Sequence, residues 1–98
     1  SSDAQAKIIT LFPDSEISMQ KHSMREEHWI VVKGKGRVIV GKKDFIVSSG
    51  EYIFIPKESI HKVINNSSNN NLVLSEVQLG SYFGEDDIMR YEDKYGRT

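Results

Sequence analysis

The chain has 98 residues, thirteen basic and fourteen acidic, with a formal net charge of −1, and this length fits one domain with a modest hydrophobic core. The near-neutral charge argues against nucleic-acid binding, which needs a concentrated basic surface. Because the sequence contains no cysteine, disulfides, thiolate metal ligands and thiol nucleophiles are excluded. No apolar run has membrane-spanning length and no signal-peptide pattern occurs, so we expect a cytoplasmic protein without a membrane partner.

Short apolar runs separated by turn residues follow one another along the chain. The predicted strands cover residues 7–12, 17–22, 29–32, 37–40, 45–47, 52–55, 60–64 and 72–79. Glycine, proline, asparagine and serine mark most of the connections, and the polar run 65–71 predicts a longer loop. Many short strands at this spacing are typical of an all-β sandwich or barrel. Residues 86–93 predict one or two helical turns near the end of the chain.

Groups with the chemistry of metal ligands concentrate directly before the strand that begins at Trp29. If residues 17–22 are extended, Gln20 and His22 share one face, because side chains repeat every second residue. Glu27 follows on the next strand, and His61 comes from a strand much later in the chain. Imidazole and oxygen ligands together suit zinc, manganese, iron, cobalt or nickel. Each of these residues also has an ordinary alternative as a surface or core side chain, and their types alone leave both interpretations open.

Strand parity separates the neighbours of Glu27 into two faces. Arg25 has the same parity as Glu27 and is expected to point inward, whereas Glu26 and His28 are expected on the opposite face. Met24 is interpreted as a residue that lines the site. Three aromatic residues are predicted to belong to the core because they alternate with aliphatic neighbours, namely Trp29, Tyr52 and Phe54.

Two sets of spacings in the sequence indicate the fold. The first is Asp14, five residues, Gln20-Lys21-His22, four residues, Glu27, six residues and Gly34. The second is Gly50, five residues, Pro56-Lys57-Glu58, two residues, His61, three residues and Asn65. Both resemble the motifs of the cupin superfamily, with Asp14 and Glu58 where glycine is usual and Gln20 in place of a histidine. The resemblance implies an all-β cupin, a double-stranded β-helix or jelly-roll barrel, as a single domain over residues 1–98 with a short helical or irregular C-terminal tail.

Two segments narrow the resemblance within that superfamily. Residues 27–34, Glu-His-Trp-Ile-Val-Val-Lys-Gly, and the tail 80–97, which begins Gly-Ser-Tyr-Phe-Gly-Glu-Asp-Asp-Ile-Met-Arg-Tyr, are similar to the type II mannose-6-phosphate isomerase domain. That domain usually forms the C-terminal part of bifunctional mannose-1-phosphate guanylyltransferase/mannose-6-phosphate isomerases. The family commonly shows Gln-x-His-His-His-Arg before its Glu-His-Trp, whereas this sequence has Ser23 and Met24 at the second and third histidines. The family's upstream Arg-Pro-Trp-Gly segment does not occur in the sequence.

The resemblance implies an isomerase that interconverts mannose 6-phosphate and fructose 6-phosphate in the supply of GDP-mannose for polysaccharide synthesis. It implies a divalent metal, zinc first and manganese, cobalt, nickel or iron as alternatives, held by Gln20, His22, Glu27 and His61. Type I phosphomannose isomerases are similar in holding zinc with one glutamine, two histidines and one glutamate. Glu27 and Arg25 are the expected catalytic residues, and the group that transfers the proton stays unassigned. The expected sugar-phosphate-binding residues are Arg25, Lys57 and Arg90.

Two other functions stay open at this point. The missing histidines favour a non-catalytic sugar-phosphate-binding or dimerisation module of a mannose-1-phosphate guanylyltransferase. A metal-dependent dioxygenase would use the same ligand types, but the isomerase-like tail argues against it. We expect a homodimer, with residues 7–12 as the exchanging or capping element, and a nucleotidyltransferase domain N-terminal to this one in a longer parent chain.

Overall fold

The computed structural model describes residues 3–90, and strands make up most of this part of the chain. The strands are β1 (Asp3–Leu11), β2 (Ser15–His22), β3 (Arg25–Lys33), β4 (Lys35–Val40), β5 (Lys43–Ser48), β6 (Tyr52–Ile55), β7 (His61–Asn65), β8 (Leu72–Gly80) and β9 (Ile88–Arg90). All eight predicted strands are present, and most of them are longer than predicted. Within residues 3–90, no helix is long and apolar enough to cross a membrane.

The C-terminal tail differs from the predicted helical turns. Glu85–Asp87 form a single 3₁₀ turn, and the chain then enters the short strand β9. β9 pairs with β2, with Arg90 opposite Gln20 in the register. Residues 88–90 are therefore part of a sheet rather than of a helix. The rest of the predicted helical segment, 91–93, and the end of the tail motif, 91–97, lie outside the described residues.

The strands form two antiparallel sheets. One sheet has the order β1-β8-β3-β6 and the other has the order β5-β4-β7-β2-β9. Successive strands often change sheets, so β2 and β7 lie in one sheet while β1, β3 and β8 lie in the other. Inward side chains from the two sheets therefore meet in the space between them. The predicted all-β architecture is confirmed.

The interior is apolar in one half and polar in the other. The apolar half contains Leu11, Trp29, Val31, Val38, Val47, Ile53, Ile55, Val63, Leu72 and Leu74, all buried. The polar half begins beyond Trp29 on β3, where the inward positions are Glu27 and Arg25. Trp29 is a core residue as predicted, but the same prediction for Tyr52 and Phe54 is wrong: they are 55% and 43% exposed. On β6 the alternation directs Ile53 and Ile55 inward, so the two aromatic residues lie on the outer face.

Two turns carry non-glycine residues in the left-handed region of backbone space. The φ angles are 58° at Asp14 and 65° at Glu58, the positions where the superfamily usually has glycine. An L-residue in this conformation costs roughly 1–2 kcal/mol, and Asp tolerates it better than Glu. The backbone N–H of Glu58 donates to the carbonyl of His22 at 2.8 Å. This bond ties the turn before β7 to the end of β2, the two places that supply the histidines of the polar half.

Candidate metal centre

A cavity of ≈ 250 Å³ opens in the polar half between the two sheets. It is lined by Lys7, Ile9, Ile17, Gln20, His22, Arg25, Glu27, Trp29, His61, Glu76, Ile88 and Arg90. Six of the seven predicted site residues belong to this lining, and the seventh, Lys57, does not. The lining comes from strands in both sheets, so the cavity exists only when the barrel is assembled.

Three of the predicted ligands converge in this cavity. His22, Glu27 and His61 each offer one ligand atom, and these atoms all lie within 4.8 Å of one another. The three side chains are 2–3% exposed, and the centroids of the two imidazole rings are 5.2 Å apart. Gln20 lines the same cavity and stands opposite His61 in the register between β2 and β7. The register shifts between Ile17 and Gln20, a bulge of the kind that redirects a side chain.

Neighbouring groups orient two of the candidate ligands through hydrogen bonds. Nδ1 of His61 lies 3.1 Å from the carbonyl oxygen of Ser59. Because a carbonyl can only accept, Nδ1 carries the proton and Nε2 keeps its lone pair for a ligand. Nε1 of Trp29 donates to Oε1 of Glu27 at 3.1 Å. The ring of Trp29 therefore packs in the hydrophobic core, and its N–H holds the Glu27 carboxylate in position.

Burial keeps both histidines neutral at physiological pH. It lowers the pKa of His22 from 6.5 to about 3, and the nearby Arg25 and His61 act in the same direction. Burial likewise lowers the pKa of His61. The neutral imidazole is the form that binds metals, so both rings are ready to coordinate without first losing a proton.

The donor set suits a divalent transition metal. Two neutral imidazoles, one carboxylate and one amide oxygen match the ligand preferences of zinc and its neighbours. His22 Nδ1 is buried and has no hydrogen-bond partner among residues 3–90. A buried polar atom without a partner lowers the stability of the fold, and a role of this ring in binding a cation would explain why the atom is there.

Arg25 lies beside the ligands and points inward, as its parity predicts. Its guanidinium donates from Nε to Oε2 of Glu27 at 2.9 Å and from Nη1 to the carbonyl of Phe83 at 3.2 Å. Nη2 lies 3.2 Å from Nε2 of His22, and that nitrogen is also 3.2 Å from Oε2 of Glu27. Arg25 is only 4% exposed, so the buried cation and the buried carboxylate compensate each other.

Glu76 also lines the cavity, although it is not among the predicted site residues. It is 2% exposed, and the side-chain amide of Gln78 donates to its Oε2. Burial raises the pKa of Glu76, and the nearby Glu27 adds to the shift. Alternation along β8 could have identified Glu76 from the sequence, because Glu76 and Gln78 share the inward face with Leu72 and Leu74. A carboxylate and an amide on the buried face of an apolar strand indicate a function.

The remaining predicted residues lie in different places. Arg90 lines the cavity from β9. Lys57 lines a separate depression together with Asp3, Ala4, Glu26, Leu79 and Gly80. Met24, interpreted as a lining residue, is instead 46% exposed and is not among the residues that line the cavity. Its backbone N–H and that of Ser23 donate to the carboxylate of Asp87, at 2.9 and 3.2 Å. The acidic tail thus holds the turn between β2 and β3.

The outward face of β3 has its own polar contacts. His28 Nδ1 lies 2.6 Å from the hydroxyl of Tyr52, and His28 Nε2 lies 2.6 Å from Oε2 of Glu26. The ring of His28 also lies against Phe54, with centroids 5.0 Å apart. The predicted separation of Glu26 and His28 from the ligands is therefore confirmed.

A larger cavity lies at the other end of the barrel. Its volume is ≈ 660 Å³ and its lining consists of lysine, glycine, asparagine, serine and isoleucine residues, Lys33, Gly34, Lys35, Gly36, Ile46, Asn66, Ser67, Asn70 and Asn71. None of these side chains is an imidazole or a carboxylate. The candidate metal ligands and acid–base groups therefore line the smaller cavity and not this one.

Known proteins are similar to this chain in sequence and in fold. A family model described as "Mannose-6-phosphate isomerase C-terminal" matches residues 1–93. The alginate biosynthesis protein AlgA of Pseudomonas aeruginosa is 46% identical over 94 residues, and a mannose-1-phosphate guanylyltransferase of Escherichia coli is 44% identical over 89 residues. The matches cover 96% and 91% of this chain but 19% of each relative, so the chain spans about a fifth of their length.

A structural neighbour agrees with the predicted fold. An uncharacterized conserved protein with a double-stranded β-helix domain from Klebsiella pneumoniae has a TM-score of 0.78 at 16% identity. The superposition covers 93% of this chain and 76% of that chain. At this identity the likeness concerns the fold alone, and it confirms the predicted double-stranded β-helix of the cupin type.

Proposed function

Because the chain belongs to the mannose-6-phosphate isomerase C-terminal family, we propose that it interconverts mannose 6-phosphate and fructose 6-phosphate with the aid of a divalent metal. The observation that carries the proposal is the cavity in which His22, Glu27 and His61 converge next to Arg25. A site for a sugar phosphate needs polar groups that bind the sugar oxygens and a cationic side chain that binds the phosphate, and this cavity has both.

The reaction moves one proton from C2 to C1 through a cis-enediol. The metal would be held by Gln20, His22, Glu27 and His61, and would polarise the carbonyl and hydroxyl oxygens of the sugar. Arg25 keeps the Glu27 carboxylate in place, and Trp29 holds its other oxygen. These fixed contacts mean that the carboxylate does not have to reorganise when the sugar binds.

Arg90 is the group that we assign to the phosphate. It lines the cavity from the short edge strand β9 and is exposed, so its guanidinium can meet a phosphate that enters from solvent. Arg25 adds positive charge deeper in the cavity. Lys57 has no part in this proposal, because it lines a different depression.

The absence of histidine at positions 23 and 24 is a weaker argument against catalysis than it is from the sequence alone. Ser23 and Met24 are both exposed, in the turn between β2 and β3. Neither side chain is part of the cavity lining. Their replacement therefore leaves the lining intact, and a non-catalytic sugar-phosphate-binding module becomes an outcome of the test rather than a second proposal.

The relatives suggest a larger context. They are about five times as long as this chain, and one of them is named as a mannose-1-phosphate guanylyltransferase. In a parent chain of that kind, this domain would act beside a nucleotidyltransferase domain, in the cytoplasm, in the supply of precursors for polysaccharides. The homodimer remains a prediction.

Metal content and turnover test the proposal together. We expect purified protein to bind zinc, manganese, cobalt, nickel or iron, and the metal-loaded chain to convert mannose 6-phosphate in a coupled assay. His61→Ala should lose the metal and the turnover, whereas the matched control Lys57→Ala should keep both. Equal metal content in the wild type and His61→Ala contradicts the ligand assignment. Saturable binding of mannose 6-phosphate without turnover would identify a binding module instead of an enzyme.

A further inference from the structure

The proposed reaction requires a group that carries a proton, and the metal ligands are poorly placed for that task. Of the residues that line the cavity, Glu27 and Glu76 are the two carboxylates. Both oxygens of Glu27 are engaged, Oε1 by Trp29 and Oε2 by Arg25. A carboxylate fixed in this way, and assigned to the metal, has little freedom to exchange a proton with carbon.

Glu76 lies on a different strand of the same cavity. It is inward on β8, opposite Trp29 in the register with β3 and opposite Lys7 in the register with β1. Its carboxylate does not join the group of ligand atoms that lie within 4.8 Å of one another. Glu76 therefore lines the cavity without belonging to the candidate ligand set.

The surroundings of Glu76 suit a group that gains and loses a proton. Gln78 donates to Oε2 through its amide, which orients the carboxylate. Lys7 Nζ lies 4.0 Å from Oε2, at the partly exposed side of the cavity, and favours the ionised form. Burial opposes this by raising the pKa of the carboxyl. The carboxyl therefore combines a fixed orientation with opposing influences on its proton, an environment that suits a proton carrier.

We propose that Glu76 is the catalytic residue that carries the proton between C2 and C1 of the sugar phosphate, an inference that rests on the proposed isomerase function. The ionised carboxylate takes the proton from C2, the C2–H bond breaks, and its electron pair forms the C1–C2 double bond. The carbonyl electrons move to O1, which gains the proton that O2 gives up over the full reaction. The Glu76 carboxyl then returns its proton to C1 as the C2 carbonyl forms.

The experiment compares Glu76→Gln, Glu76→Asp and Glu26→Gln with the wild-type chain. Glu26 is the matched control, because it is a glutamate in the same sheet on the outer face of β3. For each protein we would measure metal content, kcat and KM, and the incorporation of deuterium from heavy water at C1 and C2 by NMR. Deuterium incorporation reports the proton transfer itself, independently of the coupling enzymes.

We expect Glu76→Gln to keep its metal and its KM while kcat and deuterium incorporation fall by about 10²–10⁴-fold, the usual contribution of a general acid–base group. Glu76→Asp keeps the carboxyl but withdraws it by one methylene, so its kcat should fall by more than about tenfold. Glu26→Gln should behave like the wild type. A Glu76→Gln protein within tenfold of the wild-type kcat overturns the assignment, and so does loss of metal, because Glu76 would then be a ligand.

Two further outcomes separate this inference from the proposed function. If the metal-loaded wild type neither turns over nor exchanges deuterium, the isomerase function fails and the role of Glu76 fails with it. If the wild type is active and the Glu76 variants are equally active, only the role of Glu76 fails. Should Glu76→Gln not fold, Glu76→Asp decides, because a folded aspartate variant with the wild-type kcat also overturns the assignment.

Discussion

The guanidinium of Arg25 donates to the carboxylate of Glu27 across 2.9 Å, and neither side chain is more than 4% exposed. Removing one member of such a pair leaves a buried charge without compensation. We expect Arg25→Ala to lower the free energy of unfolding of the metal-free protein by about 3–5 kcal/mol. Urea denaturation measures this loss. The control is Arg37→Ala, since Arg37 pairs with Asp44 at a site where both side chains are nearly half exposed, and solvent screens such a pair, so this variant should lose much less stability than Arg25→Ala.

The same variant tests the ligand group from another direction. A divalent cation held by Glu27 and the histidines would supply the positive charge that Arg25 no longer provides. Zinc should therefore raise the denaturation midpoint of Arg25→Ala more than it raises that of the wild type. An equal rise in both proteins would mean that the cation binds elsewhere.

A second prediction concerns the turn before β7. Glu58 has a φ of 65°, a conformation that glycine adopts without the penalty of a side chain. Its side chain is largely exposed and pairs with Lys21 at 3.5 Å, a surface contact of little energetic value. Glu58→Gly should therefore raise the free energy of unfolding by about 1 kcal/mol. Thermal unfolding measures the change, and a loss of stability would show that the Lys21 contact outweighs the backbone strain.

A third prediction is a dependence of stability on pH in the metal-free protein. In the unfolded chain His22 takes up a proton as the pH falls below 6.5, whereas burial in the folded chain lowers its pKa to about 3. Protons therefore bind to the unfolded state first, and the free energy of unfolding falls as the pH falls through this window. His61 acts in the same direction.

His22→Gln separates this effect from general acid denaturation. The amide cannot take up a proton, so the decline in stability of the variant between about pH 6.5 and pH 3 should be shallower than that of the wild type. Urea midpoints of both proteins over this range give the slopes. Parallel slopes would mean that other groups dominate the acid limb.

A fourth prediction tests the expected homodimer. The outer face of the sheet β1-β8-β3-β6 exposes the large apolar side chains Ile8, Ile30, Val32, Tyr52, Phe54, Val77 and Leu79. Monomeric proteins rarely leave such a set in contact with water. If a second copy covers this face, Ile30→Lys should convert the dimer to a monomer in light-scattering measurements. Ile46→Lys, at an exposed isoleucine of the other sheet, is the control, and a monomeric wild type would refute the dimer.

Local patterns in the sequence predict the strands and the two faces of β3, because alternation follows directly from backbone geometry. They place Arg25 and Glu27 on one face and His28 on the other, and the structure agrees. The cupin spacings bring Gln20, His22, Glu27 and His61 to one cavity. These features depend on short-range regularities that a single chain displays.

The failed predictions depend on long-range packing. Tyr52 and Phe54 are large aromatic residues of the kind found in cores. The pairing of β6 with β3 decides which of its alternate residues face inward, and these two face outward. Met24 lies within the polar stretch, yet the tail residue Asp87 binds its backbone and leaves its side chain exposed. Glu76 stands in the middle of an apolar strand, and its importance emerges only when β8 is placed beside β3.

The contact between Asp87 and the turn after β2 has a consequence for how the cavity is completed during folding. Asp87 and Met24 are 63 positions apart in the chain, and Arg25 and Phe83 are 58 apart. Contacts between such distant partners form slowly, because the chain must lose the entropy of closing a long loop before the contacts can stabilise it. During synthesis β2 and β3 emerge early, but the wall formed by β9 cannot dock until almost all of the described chain has left the ribosome. The cavity should therefore be closed late, after most of the barrel has already collapsed.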